Sequence, residues 1–399
     1  VDSSTLEFLQ GEGARWLAGD FSIQDPLELA SRLRRELPLE QARAVQEQLS
    51  LREKARGKFG PAADAMLFTR RLLEQASGLA PARWKAMRYR QAGCERVSDL
   101  CCGAGGDSIA LGLEGVLTHR VDADPVALGL SRHNLSACGI ASGGETSSLL
   151  PALPVEARCA FFHLDPDRRA RGHQDGEDRW GDEGLSPDKA GIVELAGMFR
   201  GGAVKLSPGT PEGFLDIPGE IEFIGVRDEV REQVLWTGEL AKARLRATEI
   251  GTLERIATFE GSPEDAQDAF ADVAEDVGSW IHEPVRSLVR SHLPALFGQT
   301  LGLRPMDASI AWLTGGAVES TPFLKSFRVL AQGPLKAGTE LALLKEAGRS
   351  CGAVKKRGVA VVPEKAMREL RGLPGDPAVL VYTRVAGRKW VFVAEAAGA

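Results

Sequence analysis

No stretch of this 399-residue chain approaches the roughly twenty uninterrupted apolar residues of a membrane-spanning helix. The opening Val1-Asp2-Ser3-Ser4 lacks the basic and apolar regions of a secretory leader, so a cytoplasmic protein without a membrane partner is expected. Cysteine is sparse. The six thiols at positions 94, 101, 102, 138, 159 and 351 include no Cys-x-x-Cys pair, which argues against a zinc site and against a disulfide framework. No metal is therefore expected, and adjacent Cys101 and Cys102 read as small, reduced packing residues. Internal repeats and low-complexity runs are also missing. What remains is apolar material enough for two or three domains.

An excess of positive charge is missing too. The net charge of −6 would count against a nucleic-acid partner, but it is unevenly spread. From Lys325 to the end, 14 Lys plus Arg stand against 6 Asp plus Glu. A basic tail on an acidic body can be the footprint of a polyanion site, although a merely solvated surface is the simpler reading of charge alone.

The texture of the chain changes twice. Residues 1–92 are helical in character, with period-3.6 apolar spacing in segments such as Leu27 to Leu33 and Pro38 to Val45. Residues 93–277 alternate short apolar strands with helices, including Gly202 to Ser207 and Glu220 to Val226, which predicts a doubly wound parallel sheet with an antiparallel edge. Residues 278–399 mix helical segments with a hairpin, Ala378 to Val385 and Trp390 to Ala394 about a Gly387-Arg388 turn.

The second region opens on Val97-Ser98-Asp99-Leu100-Cys101-Cys102-Gly103-Ala104-Gly105-Gly106-Asp107-Ser108. A strand that ends on a carboxylate and passes through glycines into a helix lets backbone approach a ligand at the carboxyl edge of a sheet. A dinucleotide fingerprint would need a third glycine where Ser108 stands. The pattern is Asp-x-x-x-Gly-x-Gly, which resembles motif I of class I S-adenosylmethionine-dependent methyltransferases, with Cys101 where their commonest version has glycine. That cofactor has no pyrophosphate, and its charged amino acid tail suits an acid near the turn.

A second acid follows at the interval expected for the ribose hydroxyls, in Thr118-His119-Arg120-Val121-Asp122-Ala123-Asp124-Pro125. Asp122 is the ribose candidate, while Asp124 before Pro125 reads as a helix N-cap. Third comes Ala160-Phe161-Phe162-His163-Leu164-Asp165-Pro166-Asp167-Arg168-Arg169, similar to motif IV, whose amino-methylating members carry Asp or Asn, two prolines and an aromatic. There the acid or amide accepts a hydrogen from the target amine, and positioning supplies much of the rate of an in-line transfer. Asp165 and Pro166 keep that pattern; Asp167 and Arg168 depart from it. Arg168 and Arg169 suit a phosphate-bearing substrate, or equally pair with the acidic loop at Asp175, Glu177 and Asp178.

Further upstream, Lys58-Phe59 and Phe68-Thr69 together with Cys102-Gly103-Ala104-Gly105-Gly106 resemble the corresponding segments of the cap trimethylguanosine synthases. That resemblance implies Thr69 as a cofactor contact; its alternative is the N-cap of a helix through Leu72 to Ala76. The chain as a whole resembles bacterial S-adenosylmethionine-dependent methyltransferases with a C-terminal THUMP-like domain, through these segments and through Trp280 to Pro284, Ala311 to Thr314 and Lys355 to Val359.

The resemblance implies an α/β fold: a Rossmann-like class I methyltransferase sheet, an N-terminal helical domain and a C-terminal α+β THUMP-like domain. It also implies methyl transfer to RNA, tRNA or rRNA, at a base nitrogen. The expected cofactor contacts are Asp99, Cys102, Gly103, Gly105, Asp122 and Thr69, with Asp165 as the catalytic residue. Arg168, Arg169, Lys355, Lys356 and Arg357 are the expected substrate contacts. Tyr382 and Trp390 lie at strand spacing, where packing is favoured over stacking on bases. Two other classes stay open at this point: a methyltransferase of small molecules or proteins, and a non-catalytic RNA-binding protein that retains the cofactor fold.

Overall fold

The computed structural model describes residues 2–18, 26–168, 185–211, 213–317 and 320–397. The chain divides into two compact units, Val1–Glu220 with Glu232–Lys242, and Ile221–Arg231 with Ala243–Ala399.

The first unit begins with helices α1 (Ser3–Gln10), α2 (Ala14–Ala18), α3 (Pro26–Glu36), α4 (Leu39–Phe59), α5 (Arg70–Gln75) and α6 (Leu79–Gln91). Local chemistry sets several ends. Asp2 caps α1 by accepting the Thr5 N–H, and α3 carries Glu28 in its first turn and Arg34 and Arg35 in its last, as the helix dipole favours. The chain continues through β1 (Arg96–Leu100), α7 (Gly106–Leu113), β2 (Leu117–Asp122), α8 (Pro125–Ala137), β3 (Glu145–Ser147), β4 (Phe161–Leu164), the short β5 (Asp167–Arg168) and β6 (Leu185–Ser186), α9 (Lys189–Gly197) and β7 (Gly201–Leu206). Next come β8 (Gly219–Val226) and β9 (Glu229–Gly238).

Within this unit the strand order is β9, β7, β4, β1, β2, β3. The β1–β2, β2–β3, β1–β4 and β4–β7 pairs are parallel, and β9 joins β7 antiparallel, so the parallel sheet with an antiparallel strand is present as expected. Its central strands are buried along almost their whole length, which is why they read as continuous apolar runs.

The break expected at residue 92 is not a unit boundary. Leu6, Leu9, Trp16, Leu33, Val45, Leu51, Phe59 and Leu67 share one buried cluster with Ile109 of α7 and Ala127, Leu130 and Leu135 of α8. The leader helices use a sheet helix layer as their apolar partner, which periodicity within residues 1–92 cannot reveal.

The second unit also begins earlier than residue 278. In it β8 pairs in parallel with β10 (Leu245–Thr252), which pairs antiparallel with β11 (Arg255–Gly261). Ile221 packs with Leu245, Ala247, Leu288 and Phe297. There follow α10 (Pro263–Ala271), β12 (Trp280–Pro284), α11 (Arg286–Arg290), α12 (Pro294–Gln299), β13 (Arg304–Pro305), β14 (Leu313–Gly315), β15 (Leu324–Pro334), α13 (Thr339–Ala347), β16 (Arg349–Lys356), α14 (Pro363–Glu369), β17 (Asp376–Val385) and β18 (Arg388–Ala396).

A seven-stranded sheet runs β13, β14, β12, β15, β18, β17, β16. Strand alternation divides its two cores. Val381 and Phe392 enter one, while Leu380, Tyr382, Val391 and Val393 enter the other. The expected hairpin is β17–β18, closed by Ala386 and Gly387 at φ 43° and 81°, one residue earlier than the sequence suggested. Tyr382 is buried and Trp390 stacks beside Phe392, so both pack, as their spacing implied. No helix among the described residues is long and apolar enough to cross a membrane.

Candidate functional site

Strand β1 lies between β2 and β4, so the strand order reverses beside it, the place where open sheets of this kind bind ligands outside the carboxyl ends of the strands. The chain leaves β1 through a turn in which Cys101, Gly103 and Gly105 all have left-handed backbone, at φ 58°, 53° and 85°. Cys101 thus occupies a conformation that favours glycine. Its thiol lies within donor range of the Ser186 carbonyl, at 3.7 Å, which ties the turn to β6. Gly105 has no room for a side chain: a Cβ there would stand 2.7 Å from Ser131 Oγ and 3.2 Å from its Cα in α8. A Cβ at Gly103 would meet nothing nearer than a Leu72 methyl at 3.5 Å.

The two motif acids differ. Asp122, half-buried at the end of β2, accepts the Gly103 N–H with Oδ2 and the Asp124 N–H with Oδ1, each at 2.9 Å. Burial nevertheless lifts its pKa above the ordinary carboxylate value. Asp99 is fully buried beneath the turn and accepts the Ser108 hydroxyl. Burial raises its pKa to about 6, against the opposing pull of nearby His163. Asp99 therefore shapes the turn from below rather than presenting an open carboxylate. Cys102 is also buried, its N–H donating to the Val121 carbonyl at 3.1 Å. Asp124 caps α8 through the Val126 N–H.

Further along the carboxyl edge, side chains set the geometry. Asp165 follows β4, and its Oδ2 accepts from Lys205 Nζ of the neighbouring strand β7 at 2.7 Å. Behind them lies a buried charge chain. Lys85 of α6 contacts Glu232 of β9 at 2.7 Å and Asp107 of α7 at 2.9 Å; Ser77 donates to Asp107, and His163 Nε2 lies 3.5 Å from it. Burial alone would lower the pKa of Lys85 and of Lys205, but the surrounding carboxylates outweigh it and hold both above the ordinary lysine value. The same attraction holds Asp107 and Glu232 below theirs despite burial.

Helix α5 lies along this edge. Arg71 reaches Asp167 at 3.0 Å and Asp124 at 3.4 Å, and Gln75 donates to the other Asp167 oxygen at 2.7 Å. The approach to α5 is fixed from both sides. Gln48 of α4 bonds the Phe68 N–H and carbonyl, and Asn134 of α8 bonds those of Leu67. Thr69 caps α5 through the Leu72 N–H at 3.1 Å, the N-cap alternative considered above. Lys58 donates to the carbonyls of Leu73, Glu74 and Ala76 at the other end. Of the expected substrate arginines, Arg168 lies on β5 with its side chain outside the described residues. Arg169 and the acidic loop at Asp175, Glu177 and Asp178 lie outside them altogether.

In the second unit, the expected trio separates. Lys355 is paired with Glu283 at 2.7 Å and half-buried, because alternation on β16 turns it inward. Lys356 and Arg357 are exposed, and so are Arg388 and Lys389 at the β17–β18 turn.

Sequence reasoning missed Lys205, Arg71 and Gln75. A signal for Lys205 was available: it is the single charge in Gly201-Gly202-Ala203-Val204-Lys205-Leu206, an otherwise apolar strand ending at the same edge. A cavity of about 420 Å³ lies at the opposite, amino edge of β1 and β4, near Arg96, Arg158 and Arg200. Those three are held by Gly143, Leu153 and Glu239. Among the described residues no cluster of His, Cys, Asp and Glu could hold a metal ion.

Residues 324–396, from β15 through β18, match the THUMP domain-like family. Two proteins of Mycobacterium tuberculosis, from strains H37Rv and CDC 1551, are 33% identical to the chain over 349 residues, 84% of this chain and 90% of theirs. Both are named as uncharacterised S-adenosylmethionine-dependent methyltransferases. A crystal structure from Porphyromonas gingivalis W83 with a provisional methyltransferase name is similar over 99% of this chain and 98% of that one, with TM-score 0.73. At 19% identity that likeness concerns the fold alone.

Proposed function

The chain belongs to the S-adenosylmethionine-dependent methyltransferases, and from that premise we propose that it methylates a base nitrogen in RNA, either tRNA or rRNA. S-adenosylmethionine supplies an electrophilic methyl group on a sulfonium. The carboxyl edge suits such a ligand: Asp124 and Asp167 are paired with Arg71 and Asp165 with Lys205, whereas Asp122 accepts only backbone N–H groups and leaves its negative charge to favour a cationic ligand over a pyrophosphate.

In this reading Asp122 takes the ribose hydroxyls with the lone pairs left by its two backbone N–H bonds. The left-handed turn from Cys101 through Gly103 to Gly105 lies along the amino acid portion, with Cys102 and Asp99 holding its shape from within. Thr69 acts by fixing the start of α5. Asp165 meets the acceptor nitrogen. Arg168 and Arg169, next along the chain, contact substrate phosphate.

The observation that carries the RNA assignment is the set of exposed cations Lys356, Arg357, Arg388 and Lys389 on the THUMP-like sheet. With Tyr382 and Trp390 packed away, these cations suit phosphate contact and shape recognition over base readout. Mass spectrometry of nucleosides in total RNA from cells with and without the gene tests the reading. Loss of one methylated nucleoside is expected, and identical profiles overturn it. Replacing Lys356, Arg357 and Lys389 by glutamate should weaken RNA binding and lower the salt slope by about one for each phosphate no longer neutralised, with cofactor affinity intact. Unchanged RNA binding would remove the patch from the argument.

A further inference from the structure

We propose that Asp165 and Lys205 together form an acceptor and donor edge for a nucleobase lactam, the cis O=C–N–H unit of guanine or uracil type rings, and that the methyl group goes to the lactam nitrogen. This deepens the RNA assignment above and rests on it.

The pair is built by register. Leu164 and Val204 are partners in the parallel β4–β7 ladder, so residues 165 and 205 follow side by side at the carboxyl edge. Lys205 Nζ spends one N–H on Asp165 Oδ2 and one, at 3.4 Å, on the Gln75 carbonyl. Its third N–H and Asp165 Oδ1 have no partner among the described residues. One donor and one acceptor are thus left unspent on neighbouring groups, on side chains that are 11% (Lys205) and 29% (Asp165) exposed. A lactam edge is complementary to that arrangement: its oxygen faces the ammonium and its N–H faces the carboxylate.

The amine edges of adenine and cytosine also pair a donor with an acceptor, so the charge decides. An ammonium bonded to a ring nitrogen draws electron density from a neutral amine beside it and makes that amine a poorer nucleophile. The same ammonium favours a nitrogen that reacts as an anion. Lys205 is kept cationic by its surroundings. Burial opposes its charge most strongly and Lys85 on α6 opposes it too, but the attraction of Asp165 after β4, Glu232 on β9 and Asp107 on α7 prevails and holds it above the ordinary lysine value.

In the transfer, the lactam N–H bond breaks, its proton passes to Asp165 Oδ1, and the electron pair stays on nitrogen, with charge shared to the oxygen facing Lys205. The N–C bond forms as the S–C bond of the cofactor breaks and its electron pair goes to sulfur. Asp165 then releases the proton to solvent. Proton transfer and charge stabilisation of this kind each contribute on the order of 10²-fold or more.

The test uses the full-length protein, isotopically methyl-labelled S-adenosylmethionine and total RNA from cells lacking the gene, with the labelled nucleoside identified by mass spectrometry. Label on a lactam nitrogen, such as N1 of guanosine or N3 of uridine, is expected. Label on an exocyclic amine, a carbon or a ribose oxygen overturns the lactam edge and leaves the RNA assignment standing. Label in protein or metabolites, with none in RNA, overturns both. Asp165→Asn keeps a hydrogen-bond acceptor but cannot take a proton, so turnover should fall about 10²- to 10⁴-fold; wild-type turnover would mean that Asp165 only orients a neutral amine. Lys205→Met should fall about 10²- to 10³-fold, with a residual rate that climbs with pH as the lactam ionises unaided, and Lys205→Arg should recover part of the loss. A Lys205→Met rate parallel to wild type at every pH would reduce Lys205 to a structural part.

Discussion

At the β1–β2 half of the carboxyl edge, backbone does the positioning. Left-handed residues bend the turn, and Asp122 is held by two N–H groups close to it in sequence or strand order. At the β4–β7 half, side chains from distant segments do it: Asp165 with Lys205, and Asp167 with Arg71 and Gln75. A backbone cradle can hold the same ligand in many proteins, as the proposed cofactor half requires, whereas a cradle of ion pairs changes with each partner and suits the half proposed to select an acceptor.

The strongest way to break this contrast is to remove the charge that supports the acceptor half from behind. Lys85 is fully buried between Asp107 and Glu232. Lys85→Met should destabilise the protein by about 3–5 kcal/mol, because two buried carboxylates are left facing each other. Chemical denaturation of the full chain checks this. A change under about 1 kcal/mol, the size typical of a surface pair, would mean that water already reaches the network.

That network explains what was legible and what was not. The turn from Asp99, the acid at 122 and the caps at Asp124 and Thr69 are local patterns, and a few adjacent residues carry each of them. Lys85 meets Glu232 across 147 positions, and Arg71 meets Asp167 across 96. Nothing near Lys85 in the sequence separates it from a solvated lysine on a helix. The parallel strands were readable because burial on both faces leaves continuous apolar runs. The partner of the leader helices was not, since an apolar stripe says that a face is covered but not by what. Lys355 illustrates the converse error: three consecutive cations read as one patch, yet strand alternation turns one of them inward to Glu283.

On the cofactor half, Asp99 offers a probe that depends on pH. Its folded-state pKa is raised to about 6 by burial, so the protonated form favours the fold. That contribution is full below the unfolded carboxyl value near 4 and is lost as pH rises through about 6. Asp107 and Glu232 have lowered values and act in the opposite sense, losing their contribution only as pH falls below the ordinary range. Asp99→Asn should therefore gain stability relative to wild type between pH 4 and 7, on the order of 3 kcal/mol. Parallel stability curves across that interval would show that the Ser108 hydroxyl already compensates the buried charge.

The smallest effect should come from Asp122, the proposed ribose contact. Asp122→Asn keeps one oxygen acceptor but sets an amide NH2 against either the Gly103 or the Asp124 N–H, and it removes the negative charge proposed to meet the ribose. A charge-assisted hydrogen bond of this kind is worth about 1.5–3 kcal/mol, so S-adenosylmethionine affinity measured by calorimetry should fall about 10- to 100-fold. Fold stability should change by no more than about 1 kcal/mol, since one backbone N–H loses an acceptor while removal of a charge that burial disfavours offsets part of that loss. Separation of the two readouts is what the backbone-built half requires, because a turn shaped by left-handed residues keeps its form when one side-chain acceptor weakens. If affinity and stability fell together, the turn would depend on side-chain charge as the acceptor half does, and the contrast between the two halves would close.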